Sequence, residues 1–507
     1  MDKRRSLLNV SVSIFFKILL LFLALLTRRF LIRFLGNEVN GINSLYTSII
    51  GFLSVAELGI GTAITFCMYE PIAKNEIPKV AALYRLFVKI YTIIGIIILV
   101  LGLCLLPAIP YLAKDYTIDS NIYITFAIML LSVVLSYMYS AKTSLINAYK
   151  NNYISTIILS IATVIQQVLQ ILVLFIFQSF ELYLFCMVIS VLIQWILTEI
   201  YVRKQYKEII FLKEKLDSNT AQKVVRSTKA MFAHKLGSLL VNTADSIIIS
   251  YFLGVVLLGK YSNYTTIMVS MTSVLSLFFT SLTSIIGHFC VTENIEQVHK
   301  YFNIFFSLNF IIGCIFFLGY YAVIDDVVQI CFGDNLSLTK DISFVITLNY
   351  FIQFMRQVVL VFRDATGTFY NDRFKPVLEG IVNIILSILL VNFIGIVGVI
   401  VATIITNLLI CHIIEPFVLY KYALLDSPKK YYIKLYFFIL VFVVLLVLDN
   451  YILCNLQNSW MNILVNGFIA VAIAAIPSVL IYFIDSDFKI FINNNILKIW
   501  RKLQRYN

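Results

Sequence analysis

Charge is what this sequence has least of. Only 13% of its 507 residues are Asp, Glu, Lys or Arg, against about 25% in soluble domains, which is too few to cover the surface of a water-soluble fold. Tryptophan falls to 3 residues and histidine to 4. His234, His288, His299 and His412 form no H-E-x-x-H or other ligand spacing, the 8 cysteines include no C-x-x-C pair, and no G-x-S-x-G turn occurs. No constellation recommends itself for hydrolytic or metal chemistry, so neither an enzyme nor a bound cofactor is expected. Large polar segments are missing as well. The longest, 203–229, is charged and too short for an ATPase or other soluble domain. The first apolar run is too long for a cleavable signal peptide, and nothing resembling A-x-A follows it.

What remains is apolar. Hydrophobic residues make up 61% of the chain, with 41 Phe and 30 Tyr, and the mean hydropathy is +0.92. A helix crosses hydrocarbon with about 20 apolar residues. Charge runs and Gly/Pro/Asn clusters delimit spans near 8–33, 43–69, 82–106, 121–146, 153–178 and 181–202. A second set follows near 230–253, 262–289, 302–323, 342–362, 376–394 and 397–420, and a last pair near 432–449 and 461–484. The fold class is therefore an all-α polytopic membrane protein of about fourteen transmembrane helices. Its expected parts are an N-lobe (1–202), a basic linker (203–229), a C-lobe (230–420), and two further helices with a basic tail (421–507).

The net charge of +12 reads as topology rather than as affinity for nucleic acid, because the basic residues cluster between spans. With the N-terminus inside, the inner segments collect most of the 39 Lys and Arg, including Lys3, Arg4, Arg5, the run from Arg203 to Lys229 and the tail with Lys498, Arg501, Lys502 and Arg505. The outer loops hold Lys114, Lys260 and Lys340. Both ends are thus expected on the cytoplasmic side. Most cysteines lie in apolar stretches and act as small hydrophobes. Cys331 and Cys454 fall in outer loops, and their pairing is left open by the sequence.

One stretch, Gly254-Val-Val-Leu-Leu-Gly259-Lys260-Tyr261, imitates a phosphate-binding loop. Tyr stands where Ser or Thr would hold Mg²⁺, and the stretch follows a span on the outer side, where no ATP is available. It has a twin instead. Phe34-Leu35-Gly36-x4-Gly41-x-x-Ser44-x-Tyr46-Thr47 recurs as Phe252-Leu253-Gly254-x4-Gly259-x-x-Ser262-x-Tyr264-Thr265, and Ile93-Ile94-Gly95 recurs in the same register as Ile311-Ile312-Gly313. Six spans separate the copies, so both have the same topology. The expectation is a parallel repeat of two six-helix lobes, a design suited to alternating access.

Charges inside spans usually face a cavity and act there, because each costs roughly 2.5–3.5 kcal/mol or more at mid-bilayer. The first span carries Lys17, Arg28, Arg29 and Arg33. Arg33 is placed to snorkel, whereas Arg28 and Arg29 lie deeper and are candidates for holding an anion, and Lys17, eleven positions before Arg28 on nearly the same face, is added to them. Glu57, in Glu57-Leu-Gly-Ile-Gly61, is a candidate partner for a first-span arginine. Asp245 in the seventh span is a candidate for ion coupling or charge pairing, and Arg356 in the tenth is the second lobe's clearest deep cation. Arg85, Lys89, His288 and Glu379 lie nearer inner ends and read as interface or packing charges.

Specific segments resemble a known family. Asp245-Ser-Ile-Ile-Ile-Ser-Tyr-Phe-Leu-Gly254-x4-Gly259-x-Tyr261-Ser-Asn-Tyr264, Ala365-Thr-Gly367-Thr-Phe-Tyr-Asn-Asp372-Arg373-Phe-Lys375-Pro376 with Glu379, Asn383 and Gly395-x-x-Gly398, and the opening Arg33-Phe-Leu-Gly36 through Gly61 are similar to Wzx-type polysaccharide flippases. These belong to the multidrug/oligosaccharidyl-lipid/polysaccharide exporter superfamily. The resemblance covers most of the chain and is weakest over the last two spans. It implies two lobes around a V-shaped cavity and cavity cations on a diphosphate, for which Arg28, Arg29 and Arg356 are positional candidates without a motif match for Arg28 or Arg356. It further implies a bacterial cytoplasmic membrane and an undecaprenyl-diphosphate-linked oligosaccharide as cargo, with polysaccharide polymerase and chain-length machinery as partners. Two alternatives stand beside it. A cation-coupled multidrug exporter would call for an acidic cavity, and a lipid-linked-sugar polymerase or ligase would call for a large outer loop, whereas the largest here, about 324–341, is short.

Overall fold

The computed structural model describes residues 3–493 apart from 58–59, 118–120, 213, 215, 217–221, 223, 225–235, 238–242, 369–370, 454–458 and 486. His234, Lys235 and Cys454 lie outside the described residues, and with Cys454 so does the question of a Cys331–Cys454 pair. The secondary structure of the described residues is helical, without strands. This is the composition that lipid demands, because a helix satisfies its own backbone donors and acceptors where no water can.

The helices follow the apolar runs. α1 (Lys3–Leu53) carries the first span and part of the second and bends at Gly36, whose φ of 87° and ψ of 165° suit glycine. After a 3₁₀ turn at Ser54–Glu57 come α2 (Ile60–Ala73), α3 (Ile77–Leu105), α4 (Ile122–Ala148), α5 (Asn152–Ile176) and α6 (Phe180–Gln205). α7 (Thr243–Leu253) is the longest described part of the seventh span. α8 (Val255–Thr292), α9 (Ile295–Phe332), α10 (Lys340–Met355) and α11 (Gln357–Thr366) follow. α12 (Lys375–Thr406) bends at Ile394–Gly395, between the eleventh and twelfth spans. α13 (His412–Leu419), α14 (Lys429–Ile452) and α15 (Ser459–Ile484) come last. Among the described residues, nine segments are long and apolar enough to cross a membrane. One of them, Lys375–Leu424, is 50 residues long. At about 1.5 Å per residue that is over twice the hydrocarbon thickness, and the bend at Gly395 divides it into two crossings. Large apolar side chains such as Ile176, Phe393 and Phe468 stand exposed on the helix flanks, a placement favoured by lipid and opposed by water.

Residue contacts divide the chain into two compact units, Met1–Ser262 and Asn263–Asn507, with the boundary inside α8. The repeat in the sequence is a repeat in structure. Gly36 and Gly254 take the same left-handed φ, 87° and 92°. In the first unit the twin stretches meet each other helix to helix: Asn37 Nδ2 donates to the Val256 carbonyl at 2.8 Å, and Asn40 Nδ2 to that of Gly259 at 3.0 Å. Gly41 and Gly259 mark the closest approach. A Cβ on Gly41 would collide with the Val255 carbonyl, and one on Gly259 with Asn37.

The register also holds between helices of each unit. Tyr46 shares a 2.9 Å hydrogen bond with Thr125, while Tyr264 and Ser343, the residues 218 positions further on, both donate to Asp325, at 2.6 and 3.0 Å. Gly95 packs on Tyr137 and Val134 of α4, and Gly313 on Phe351 and Phe354 of α10. The phenylalanines supply much of the second unit's interior. Phe438 stacks on Phe310 with ring centroids 4.1 Å apart, and Phe442 on Phe351 at 3.5 Å, so α14 is held to α9 and α10 by aromatic faces.

Gly41→Ala should lower the thermal midpoint of the purified protein in detergent by several degrees, as expected for about 1–3 kcal/mol of overpacking. Gly319→Ala, where an added Cβ meets nothing within 4 Å, should leave it unchanged in the same melt.

Candidate functional site

The charged residues inside the spans sort into two groups, one in each unit. In the first unit Arg28 is half-buried on α1 and its guanidinium donates to Ser262 Oγ, a residue of the second twin stretch. Ser262 is also within reach of Asn40 Nδ2, at 3.5 Å. Arg28 is thereby fixed beside the glycine contact of the repeat. Arg29 points to the exposed side of α1, Lys17 is half-buried further down the same helix, and Arg33 is exposed near the Phe34 ring. Asp245 is half-buried on α7.

Glu57 meets a tyrosine where the sequence suggested an arginine. Tyr91 of α3 donates to Glu57 Oε1 at 2.5 Å. Gly61 provides the space, since a Cβ there would run into the Tyr91 hydroxyl and stand 3.1 Å from Glu57 Oε1. The pair forms one end of a cavity of about 620 Å³ whose lining continues through Tyr137, Ser140, Asn147, Ser155 and Gln194 of α4, α5 and α6. Its volume is in the range of small-molecule sites.

In the second unit Arg356 is enclosed by protein partners. Its Nε and Nη2 donate to the two oxygens of Glu415 at 3.0 and 2.6 Å, and Nη1 donates to Asn407 Oδ1 at 2.6 Å. Glu415 also accepts from Lys375 Nζ at 2.7 Å, and Lys375 reaches Glu379 at 2.9 Å. Arg363 lies 3.0 Å from Asp372 and 3.9 Å from Glu415. These side chains form one nearly enclosed network, with Glu415 1% and Asp372 0% exposed. Such burial is sustainable because the charges neutralise one another at bidentate geometry. A π-helical turn at Asn407–Cys411 separates the two acceptors of Arg356 along the chain. Its wider winding changes which residues after it share a face, and both Asn407 and Glu415 reach the guanidinium.

Sequence reasoning found Arg356 but missed Glu415, Arg363 and the pairing of Lys375 with Glu379. The i,i+4 spacing of Lys375 and Glu379 was a usable signal. So was the position of Glu415 inside an apolar run. The pairing of Arg356 with a residue 59 positions away was beyond any local pattern.

Comparison with known proteins places the chain in a family. A sequence profile described as polysaccharide biosynthesis protein matches residues 6–285, more than half of the chain. The chain belongs to that family. No curated protein matches it. Among solved structures, the lipid II flippase MurJ in an inward closed conformation superposes with a TM-score of 0.67 at 15% identity, covering 94% of this chain and 99% of that one. A multidrug resistance transporter of the MATE family and MOP superfamily, inward-facing, gives 0.56 at 12% identity, with 81% and 97% covered. The MATE multidrug transporter DinF-BH gives 0.56 at 14%, with 84% and 96% covered. This family member is thus a multi-pass helical membrane protein with a fold shared by a lipid flippase and drug transporters.

Glu415→Gln should cost about 3–5 kcal/mol of stability, because it leaves Arg356 and Lys375 as buried charges without their shared carboxylate. Adding Arg356→Met to Glu415→Gln should recover part of that loss. A double-mutant cycle read by denaturation in detergent measures the coupling, and additive losses would show that the pair is not coupled.

Proposed function

We propose that this protein is a flippase that carries undecaprenyl-diphosphate-linked oligosaccharide repeat units from the inner to the outer leaflet of a bacterial cytoplasmic membrane, by alternating access, for assembly of a surface polysaccharide. The observation that carries the reading is membership of the polysaccharide biosynthesis family across 6–285, the part of the chain that contains the basic first helix. The fold shared with a protein titled a lipid II flippase supports it.

The physics of the cargo fits. A sugar diphosphate cannot cross hydrocarbon unaided, whereas a polyprenyl tail can stay in lipid. Cations facing the headgroup replace its water, and arginine suits phosphate because its planar fork binds two oxygens at once. Outward transfer of about two negative charges is favoured by an inside-negative potential at roughly 2.3 kcal/mol per charge per 100 mV. In this reading Arg28 and Arg29 hold the diphosphate, with Lys17 on the same helix assisting its approach. Arg356 joins them only if Glu415 releases it, so its first duty is to the internal network. Glu57 and Asp245 are the proposed carriers of a coupling ion or of a neutralising charge. The working parts are the N-lobe (1–202), the basic linker (203–229), the C-lobe (230–420) and the last two helices with the tail (421–507), with both termini cytoplasmic. Polymerase and chain-length machinery would receive the exported unit.

Complementation of a strain that lacks its flippase and makes the glycan encoded beside this gene tests the reading. Wild type should restore the polymer. Arg28→Ala and Arg29→Ala, at equal membrane abundance, should reduce it at least about tenfold, the loss expected for one charge-assisted phosphate contact, and Arg28→Lys should restore part of it. Arg356→Ala should lower abundance as well as export. Asp245→Asn with full export would remove Asp245 from the coupling role. Failure of wild type to rescue, together with resistance to cationic drugs, would replace the flippase with an exporter of the same fold.

A further inference from the structure

The cavity of the first unit has a chemical bias that the diphosphate reading does not use. Its wall is built largely from hydroxyl and amide side chains of α4, α5 and α6, and several of their donors already have internal acceptors. Ser136 and Ser140 donate to carbonyls of their own helix at 2.7 and 2.8 Å, and Thr156 does so at 3.0 Å. Tyr139 donates to Gln194 Oε1 at 2.6 Å, Gln194 Nε2 to Ser190 at 3.3 Å, and Tyr91 to Glu57. These groups keep lone pairs toward the space, while Ser144, Asn147, Asn152 and Ser155 add hydroxyl and amide groups that both donate and accept. Two further oxygens on the lining, Asn147 Oδ1 and Ser155 Oγ, are buried and have no hydrogen-bond partner among the described residues. A buried polar atom without a partner costs about 1–3 kcal/mol, so Asn147 and Ser155 are places on the lining where a hydrogen bond to an occupant would be gained.

The wall therefore suits an occupant that both donates and accepts hydrogen bonds and carries no negative charge. Among the described residues, Glu57 is the only ionisable carboxylate on the lining, and no Lys or Arg lines the cavity. Phosphate is repelled by such a wall. A polyol matches it, because each sugar hydroxyl offers one proton to an acceptor. The Tyr91 and Tyr137 rings, 5.6 Å apart between centroids, add apolar faces for the C–H side of a sugar ring. A separate recess of about 540 Å³ at the α4–α5 turn shares Asn147 and Asn152 with the first and carries Lys150 and Tyr69 on its own lining.

We infer that the cavity bounded by Glu57, Tyr91, Asn147 and Ser155 binds sugar residues of the lipid-linked headgroup, and that it, separately from the basic residues of α1, selects which glycan is carried. The inference rests on the flippase reading and adds to it the place where the sugar is recognised.

The test uses the full chain in lipid nanodiscs, titrated with two probes: the undecaprenyl-diphosphate-linked oligosaccharide extracted from the complemented strain, and undecaprenyl diphosphate without sugar. Wild type should bind the sugar-bearing lipid more tightly. Asn147→Leu and Ser155→Val should raise the Kd for the sugar-bearing lipid roughly five- to tenfold and leave the Kd for the sugarless lipid within about twofold. Ser155→Thr should keep most of the affinity. Ser155 Oγ has no hydrogen-bond partner among the described residues, so Ser155→Val tests the site even where Asn147→Leu fails to fold. Equal wild-type affinity for the two lipids, or variants that weaken both alike, would overturn the sugar site and leave the flippase standing. Variants that weaken binding of tetraphenylphosphonium but not of the sugar-bearing lipid would overturn it in favour of an organic-cation site. A wild type that binds neither lipid would remove the flippase reading, and the sugar site with it.

Discussion

Hydrocarbon offers no hydrogen bond, and the rest of this structure follows from that. Each crossing must be a helix that closes its own backbone, and each polar side chain within a crossing must find a partner inside the protein or a cavity that holds water or cargo. The apolar flanks then carry little information, since lipid accepts any Leu, Ile or Phe. Specificity comes from the few places where helices approach closely or where charges meet.

Close approach is set by glycine. Gly41 and Gly259 let the two copies of one helical stretch touch backbone to backbone, and Gly36 and Gly254 supply the left-handed breaks that precede them. The side chains next to them, Asn37 and Asn40, tie the stretches through carbonyls, and Arg28 is anchored to the second stretch through Ser262. A cation proposed to meet the cargo is thus attached to the contact between the two copies of the stretch. In the second unit the corresponding economy is electrostatic. Arg356, Lys375 and Arg363 share Glu415, so a single carboxylate holds together side chains from α11, α12 and the segment that joins α10 to α11, beside the helix that follows the π-helical turn.

The two polar regions of the first unit differ in sign and in chemistry. α1 carries Arg28, Arg29 and Lys17, suited to an anion. The cavity behind Tyr91 presents hydroxyl and amide groups and one carboxylate, suited to the hydroxyls of a sugar. A cargo with a charged diphosphate and a neutral glycan would need both kinds of surface, and a uniformly basic cavity alone would not tell one glycan from another.

The sequence by itself determined the class, the approximate position of the crossings that the described helices cover and the repeat, because these depend on composition and on residues near one another in the chain: long apolar runs, interrupting charges, and glycines at matching positions in Phe34–Thr47 and Phe252–Thr265. It also pointed to Arg28, Arg356 and Glu57 as charges that needed an explanation. Only the tertiary structure decided their partners. Glu57 went to Tyr91 rather than to an arginine because Gly61 left room for the tyrosine hydroxyl. Arg356 went to Glu415, 59 residues on, beyond a bend at Gly395 and a π-helical turn at Asn407–Cys411. The physical reason is the same for both. The energy of a buried charge is fixed by the atoms within a few ångströms of it, and which atoms those are depends on how helices distant in sequence pack.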